Sequence, residues 1–282
     1  GTATILITYA IANRVAGRVA GLLAAFFLAC AVLHLRDSHF ATTDMPMVFF
    51  CMLTLWWALR LVERGDWLSL VGAGASVGAA VASKYTGLIS LGAVGVAYLL
   101  SPRRPAHLTP ILPWVGWVSR GMVPILVALA TFLALDPLVI WYPDKFLLDF
   151  REQVTDPLTG VTRPIIFAQF ADIASHRFYW LENLWWSLGP TLEILGILGV
   201  AWLIARWDTR AAVAASFPLI YYLVAGQTVA PMIRYTLPLA PALAISAGVL
   251  GADWLSRPRW RSVARLVVGV TVVTTGLYAL AY

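Results

Sequence analysis

Charge is what this chain has least of. Only 12% of its 282 residues are charged while 60% are hydrophobic, against the roughly 25% charged residues of a soluble domain. With a mean hydropathy of +0.80, a soluble globular protein is excluded. The chain reads as an integral membrane protein whose helices satisfy their own backbone hydrogen bonds in lipid. Cysteine is nearly absent as well. Cys30 and Cys51 both sit in apolar runs, without a second pair or metal-ligand spacing, and read as small core hydrophobes. No GxxxxGK[ST], HExxH or CxxC pattern occurs, so no P-loop, zincin or thioredoxin-type chemistry is indicated. An initiator Met and the charged, apolar and small-residue regions of a signal peptide are also missing, so the chain is expected to begin inside a longer protein.

What is present is a series of apolar runs. Measured against the ~20 residues needed to span a bilayer, they predict an all-α polytopic bundle. Nine full spans are expected near 17–35, 45–62, 67–83, 86–101, 118–137, 185–205, 211–227, 235–253 and 263–281, with half of a further span in 1–11. The whole of 1–282 is expected to form one transmembrane domain. Thirteen of the 20 Lys and Arg residues fall in one set of loops, from Arg14 and Arg18 through Arg103, Arg104 and Arg120 to Arg265. The other seven, Arg36, Lys84, Lys145, Arg151, Arg163, Arg177 and Arg234, fall in the opposite set. By the positive-inside rule the first set is cytoplasmic. The pI of 9.6 then reflects topology and contact with the lipid bilayer, and no nucleic acid is expected as partner. Trp67, Trp141, Trp185, Trp207 and Trp254 lie at or near span ends, as an interfacial belt requires.

The outer loops hold the candidate site residues. The long segment near 138–184 mixes acids (Asp144, Asp149, Glu152, Asp156, Asp172, Glu182) with aromatics such as Phe146, Phe150, Phe167 and Phe178, which suits short helices lying in the interface. Arg36 to Pro46 places Asp37, His39 and Asp44 between two spans. Asp44, just before Met45-Pro46, fits either a helix N-cap or a site acid. Asp37 and His39, two residues apart, would point to one side of an extended chain. Two ligands make no metal site, so no cofactor is expected, a divalent cation being the open alternative. Lys84 fits either snorkelling to the interface or a point charge on a phosphate. Arg234, before Tyr235 and between Pro231 and Pro238, fits either a helix anchor or a bidentate phosphate grip. Gly72, Gly74 and Gly78 have the look of a dinucleotide loop, but no strand precedes them and they lie inside an apolar span, so close helix packing explains them better.

Four passages together resemble the protein O-mannosyltransferase-like family of GT-C membrane glycosyltransferases. They are the basic turn 12–21 (ANRVAGRVAG), HLRDSHFATTDMPMVFF at 34–50, SKYTG at 83–87 and IRYTLPLAPALAISAG at 233–248. The resemblance implies a sugar, a hexose such as mannose, moved from a polyprenyl-phosphate donor to a protein, lipid or glycan acceptor outside the cytoplasm of a prokaryotic plasma membrane. It assigns Asp44 and Asp37 as candidate catalytic carboxylates. Lys84, Arg234, His39, Tyr85 and Tyr235 become candidates for the donor phosphate. The family's catalytic carboxylate belongs to a first outer loop, which the resemblance places upstream of residue 1, so the isolated chain is expected to lack it. A transporter or channel, or a structural membrane subunit, is the competing class. A transporter should carry its charges at mid-depth or show inverted repeats, whereas Asp37, Asp44, Lys84 and Arg234 gather at one face.

Overall fold

The computed structural model describes residues 1–40, 42–101, 113–159, 170, 174, 179–229 and 231–281. Arg103, Arg104, Arg163, Arg177, Phe167, Asp172 and Phe178 from the sequence reading lie outside the described residues. Among those described, all regular structure is helical. Five helices are long and apolar enough to cross a bilayer, and four further apolar helices have 10–17 residues. In order they match the nine expected spans.

The first helix, α1 (Thr2–Ala29), is broken at Ala16 and Gly17, where Gly17 takes φ +84°. That left-handed conformation is open to glycine and strained for other residues. The break folds the chain back on itself. A Cβ added to Gly21 would lie 2.9 Å from the Tyr9 ring and 3.0 Å from the Asn13 Cβ, contacts that twelve residues of straight helix, ~18 Å long, could not make. Arms 2–15 and 18–29 are therefore antiparallel, joined by the basic turn. The expected half-span 1–11 is the first arm. The expected span 17–35 ends early, at Ala29, and a separate short helix, α2 (Val32–His39), follows.

Next come α3 (Asp44–Arg64), α4 (Trp67–Ser83) and α5 (Leu91–Leu100), the last entered through a 3-10 turn at Tyr85–Ser90. Gly65 in the left-handed region closes α3, and Asp66 caps α4 by accepting from the Ser69 backbone N–H. α6 (Pro113–Leu135) packs against α4 at its glycines: a Cβ on Gly74 would stand 2.6 Å from the Pro124 carbonyl, and one on Gly78 would collide with the Ala128 carbonyl. The Gly-rich stretch is thus a helix-packing face.

The outer segment follows as α7 (Leu138–Trp141), α8 (Pro143–Phe150), a π-helical turn Arg151–Thr155, α9 (Asp156–Thr159) and a second π-helical turn Tyr179–Asn183. These are short helices, as expected, and expose Leu138, Trp141, Leu147 and Leu148. The expected span 185–205 is broken at Gly189 (φ +79°) into α10 (Leu184–Leu188) and α11 (Pro190–Ala205). After α12 (Thr209–Ala225), a 3-10 turn Ile233–Thr236 leads into α13 (Leu239–Ser256), and α14 (Arg261–Ala281) ends the described chain. α13 is the axis of the bundle: Leu239 through Ala252 are all buried, as an all-apolar helix in a core should be. Both α1 and α11 approach it at backbone distance, through Gly248 against Ala20 and through Gly199 against Ser246.

One end of the bundle is tied by ion pairs. Arg14 meets Glu63 at 2.7 Å and Arg210 meets the same carboxylate at 2.9 Å, while Arg60 reaches Asp66 at 3.2 Å. The starts and ends of the helices put Asp44, Lys84, Asp136 and Arg234 at the opposite end, the outer end by the positive-inside reading.

Candidate active site

A cavity of about 790 Å³ opens at that opposite end. Five helix ends and irregular turns bring side chains to its wall. Asp44 is the first residue of α3. Lys84 ends α4 in an extended conformation, φ −163° and ψ 134°, which turns the chain into the 3-10 turn beginning at Tyr85. Arg234 and Tyr235 come from the 3-10 turn before α13. Asp136 stands just past the end of α6, and Glu152 and Gln153 reach in from the π-helical turn of the outer segment. Such breaks free the backbone from the helical ladder and are common at functional sites.

The cap reading of Asp44 is excluded by where its carboxylate goes. The N-cap position of α3 is Thr43, one residue earlier, and Lys84 Nζ donates to Asp44 Oδ1 at 2.5 Å, with the Lys84 and Asp44 side chains 17% and 7% exposed. Lys84 is therefore turned inward rather than snorkelling. The ammonium also lies over the ring of Tyr235, 4.8 Å from its centroid, and the Arg234 guanidinium lies 5.7 Å from that same centroid. Tyr235 is fixed in turn, because the Tyr221 hydroxyl donates to its carbonyl at 2.9 Å. Two cations thus share one aromatic ring at the cavity wall. Lys84 has a carboxylate partner. Arg234 is exposed and makes no ion pair among the described residues.

The opposite wall is acidic and aromatic. Asp136 and Glu152 line it and have no ion-pair partner among the described residues. Tyr85 packs edge-on against Phe146 and tilted against Phe150, both at 5.7 Å, so α8 is tied over the mouth. Burial pushes the Tyr85 hydroxyl pKa up, and the nearby Asp136 and Asp149 carboxylates push it the same way. Burial likewise raises Tyr179, whose hydroxyl lies 3.2 Å from Thr228 Oγ1. Both tyrosines stay protonated at neutral pH.

Asp44, Lys84, Arg234, Tyr85 and Tyr235 therefore share one cavity. Asp37 and His39 do not line it. Both belong to α2 rather than to an extended loop, and two positions on a helix are about 200° apart. Asp37 is buried and accepts from Arg36 Nε at 2.7 Å, while His39 is exposed with Nδ1 2.7 Å from its own helix's Leu35 carbonyl. Among the described residues no group of three or more His, Cys, Asp or Glu could hold a metal. Asp136 and Tyr221 went unread in the sequence. Asp136 lies inside the expected span 118–137 and Tyr221 inside 211–227, and no local pattern sets either apart.

Half of the chain, residues 1–141, matches a family model described as dolichyl-phosphate-mannose-protein mannosyltransferase. The chain belongs to that family. The match takes in three of the four resembling passages, 12–21, 34–50 and 83–87. No curated protein matches the chain. Among solved structures, the chain is similar to that of ArnT from Cupriavidus metallidurans bound to undecaprenyl phosphate, at 21% identity and a TM-score of 0.65. The likeness covers 98% of this chain and 48% of that one. It establishes a GT-C-like helix bundle and carries the fold through 233–248, the passage beyond the family match. The chain spans about half the length of the protein it resembles.

Proposed function

We propose that this chain forms the donor-phosphate end of a membrane glycosyltransferase that moves a hexose, mannose first among candidates, from a polyprenyl phosphate to an acceptor hydroxyl outside the cytoplasm. The observation that carries the reading is the convergence of Lys84 and Arg234 on one tyrosine ring at the wall of a cavity at a single end of the bundle. Family membership and an ArnT-like fold support it, and the undecaprenyl phosphate bound to ArnT is a carrier lipid of the kind that the proposed reaction releases. A lipid-linked sugar keeps its tail in hydrocarbon and its anomeric carbon at the interface, so its enzyme must hold cations at a membrane end.

In the proposed reaction the acceptor oxygen bonds to the anomeric carbon as the bond from that carbon to the phosphate oxygen breaks. The electron pair goes to the phosphate, and the acceptor proton goes to a carboxylate base. The phosphate gains charge during the step, so a fixed cation lowers the transition state more than the ground state. Arg234, free of any carboxylate among the described residues, is suited to that role. Lys84, held by Asp44, supplies a second cation of fixed position. Within the chain, Asp136 and Glu152 are cavity acids not already committed to a cation among the described residues.

The test is sugar transfer by the full-length protein in liposomes, across a panel of polyprenyl-phosphate-linked hexoses. Consumption of a lipid-linked hexose with release of polyprenyl phosphate is the expected result. No consumption of any donor in the panel would remove the reading.

A further inference from the structure

A second cavity, of about 600 Å³, lies at the end of the bundle away from the site, where α11 and α13 finish and α12 begins. Its walls include Trp202, Arg206, Asp208, Asp253, Ser256 and Arg257. The two carboxylates in it are already engaged. Arg206 Nε meets Asp208 at 2.8 Å and Arg206 Nη1 meets Asp253 at 3.0 Å. Asp253 also accepts from Trp202 Nε1 at 3.0 Å, and Asp208 accepts from the Ala211 backbone N–H at 2.8 Å. This leaves Arg257, exposed and stacked over the Trp202 ring at 4.8 Å, without a carboxylate among the described residues.

The loop leaving this cavity is strongly basic. Arg257, Arg259, Arg261 and Arg265 fall within nine residues with no acid between them. All four are exposed, and none forms an ion pair among the described residues. Arg259 lies over Trp260 at 5.8 Å, and Trp260 stacks on Trp254 at 6.0 Å. Guanidinium groups flattened on indoles keep their N–H edges free for an oxyanion. The surface leading away from the loop is apolar: α11 exposes Leu198 and Ile204, and α14 exposes Val263, Leu266 and Val270.

We propose that this cavity and its basic rim bind the phosphate headgroup of an anionic phospholipid, with the acyl chains lying along the exposed faces of α11 and α14. Free phosphate would use the same arginines but not the apolar tracks, and it is the tracks that favour a lipid. A basic pocket between transmembrane helices at the positive-inside end is the setting in which anionic headgroups are held. The site is separate from the outer cavity and does not depend on the transferase reading.

The experiment uses the purified chain in detergent micelles with equal amounts of phosphatidylglycerol and phosphatidylcholine, the bound lipid being counted by native mass spectrometry. The wild type should retain phosphatidylglycerol preferentially. Arg257→Gln with Arg259→Gln should lower that preference roughly tenfold or more, as expected for two basic residues at a membrane surface. Arg18→Gln with Arg64→Gln removes two exposed charges elsewhere at the same end and should leave the preference intact. Thermal unfolding of both double variants guards against loss of fold. An equal loss in the two double variants, or no preference in the wild type, would overturn the proposal in favour of diffuse surface charge. Protection by inorganic phosphate, abolished in Arg257→Gln/Arg259→Gln but unmatched by phosphatidylglycerol, would overturn it in favour of a soluble anion.

Discussion

At the basic end of the bundle, Glu63 is held between Arg14 and Arg210, and Arg14 also lies over the Trp56 ring at 5.2 Å. At the other end Asp44 is held by Lys84, which lies over the Tyr235 ring. Locally the two arrangements are alike, each a carboxylate, a cation and an aromatic face. They differ in what surrounds them. The Glu63 cluster cements α1, α3 and α12 and lines none of the cavities described, whereas the Asp44 pair sits in the wall of a 790 Å³ cavity beside a second cation, Arg234, that has no carboxylate among the described residues. An ion pair alone therefore says little about chemistry. An uncommitted cation beside it, in a space large enough for a ligand, says much more.

That contrast is broken most directly by removing one charged residue from each end. Arg234→Ala should lower turnover of the full-length protein on the order of a hundredfold, the usual cost of one charge-stabilising donor, with donor binding weakened much less. The measurement is initial rate against donor concentration in liposomes, and unchanged turnover would reduce Arg234 to a helix anchor. Glu63→Gln strands Arg14 and Arg210 at the other end. It should leave turnover per folded molecule unchanged and cost about 1 kcal/mol of stability, because the partly exposed pairs are screened. A turnover defect in that variant would mean that the two ends are coupled.

Between these extremes lies the Asp44–Lys84 pair. Asp44→Asn leaves an ammonium in the cavity wall without its counter-ion. It should cost about 2 kcal/mol, below the cost for a fully buried pair because Lys84 keeps some access to solvent. Adding Lys84→Met removes the stranded charge and should restore most of the stability. Turnover should stay low in the double variant, since the second cation is gone. Thermal unfolding beside transfer assays separates the two. If the double variant unfolded as early as the single one, charge would not be what couples these residues.

The frame of this molecule was legible because lipid burial leaves long apolar runs, and the ends of those runs were legible because charges stop there. Asp44, Lys84 and Arg234 were found by that logic, each being an ionisable residue at an outer span end. The same logic failed at α2. Val32 to Leu35 were expected to end the span 17–35 and Arg36 onward to be loop, yet these eight residues form one separate helix whose inward face buries Asp37 and His34. Asp136 and Glu152 were illegible as site residues because their place in the cavity depends on how α6 and the outer segment fold back, which no local pattern encodes. The break in α1 was half legible. Arg14 and Arg18 marked a turn, but only Gly17's positive φ and the Tyr9–Gly21 contact show how tight it is.

The smallest effect tests whether the basic end is purely structural. Asp66 caps α4 through the Ser69 N–H at 2.8 Å, accepts from the Ser69 hydroxyl at 2.5 Å, and meets Arg60 at 3.2 Å. The Ser69 hydroxyl is the largest influence and, with the Ser69 backbone N–H and Arg60, it outweighs burial, lowering the Asp66 pKa to about 2 from the usual 3.8. A carboxyl bound more tightly as its anion in the folded state stabilises fully above its unfolded pKa of about 4. That contribution is lost as pH falls through about 2. Asp66→Ala should therefore lower stability by about 1 kcal/mol at neutral pH, the usual worth of an N-cap. The gap from wild type should close progressively between about pH 4 and pH 2 as the wild-type carboxylate takes up its proton. Thermal unfolding of both proteins across that range measures it. A gap that stayed constant with pH would assign the effect to lost packing rather than to the charged cap, and a turnover change at neutral pH would contradict a purely structural basic end.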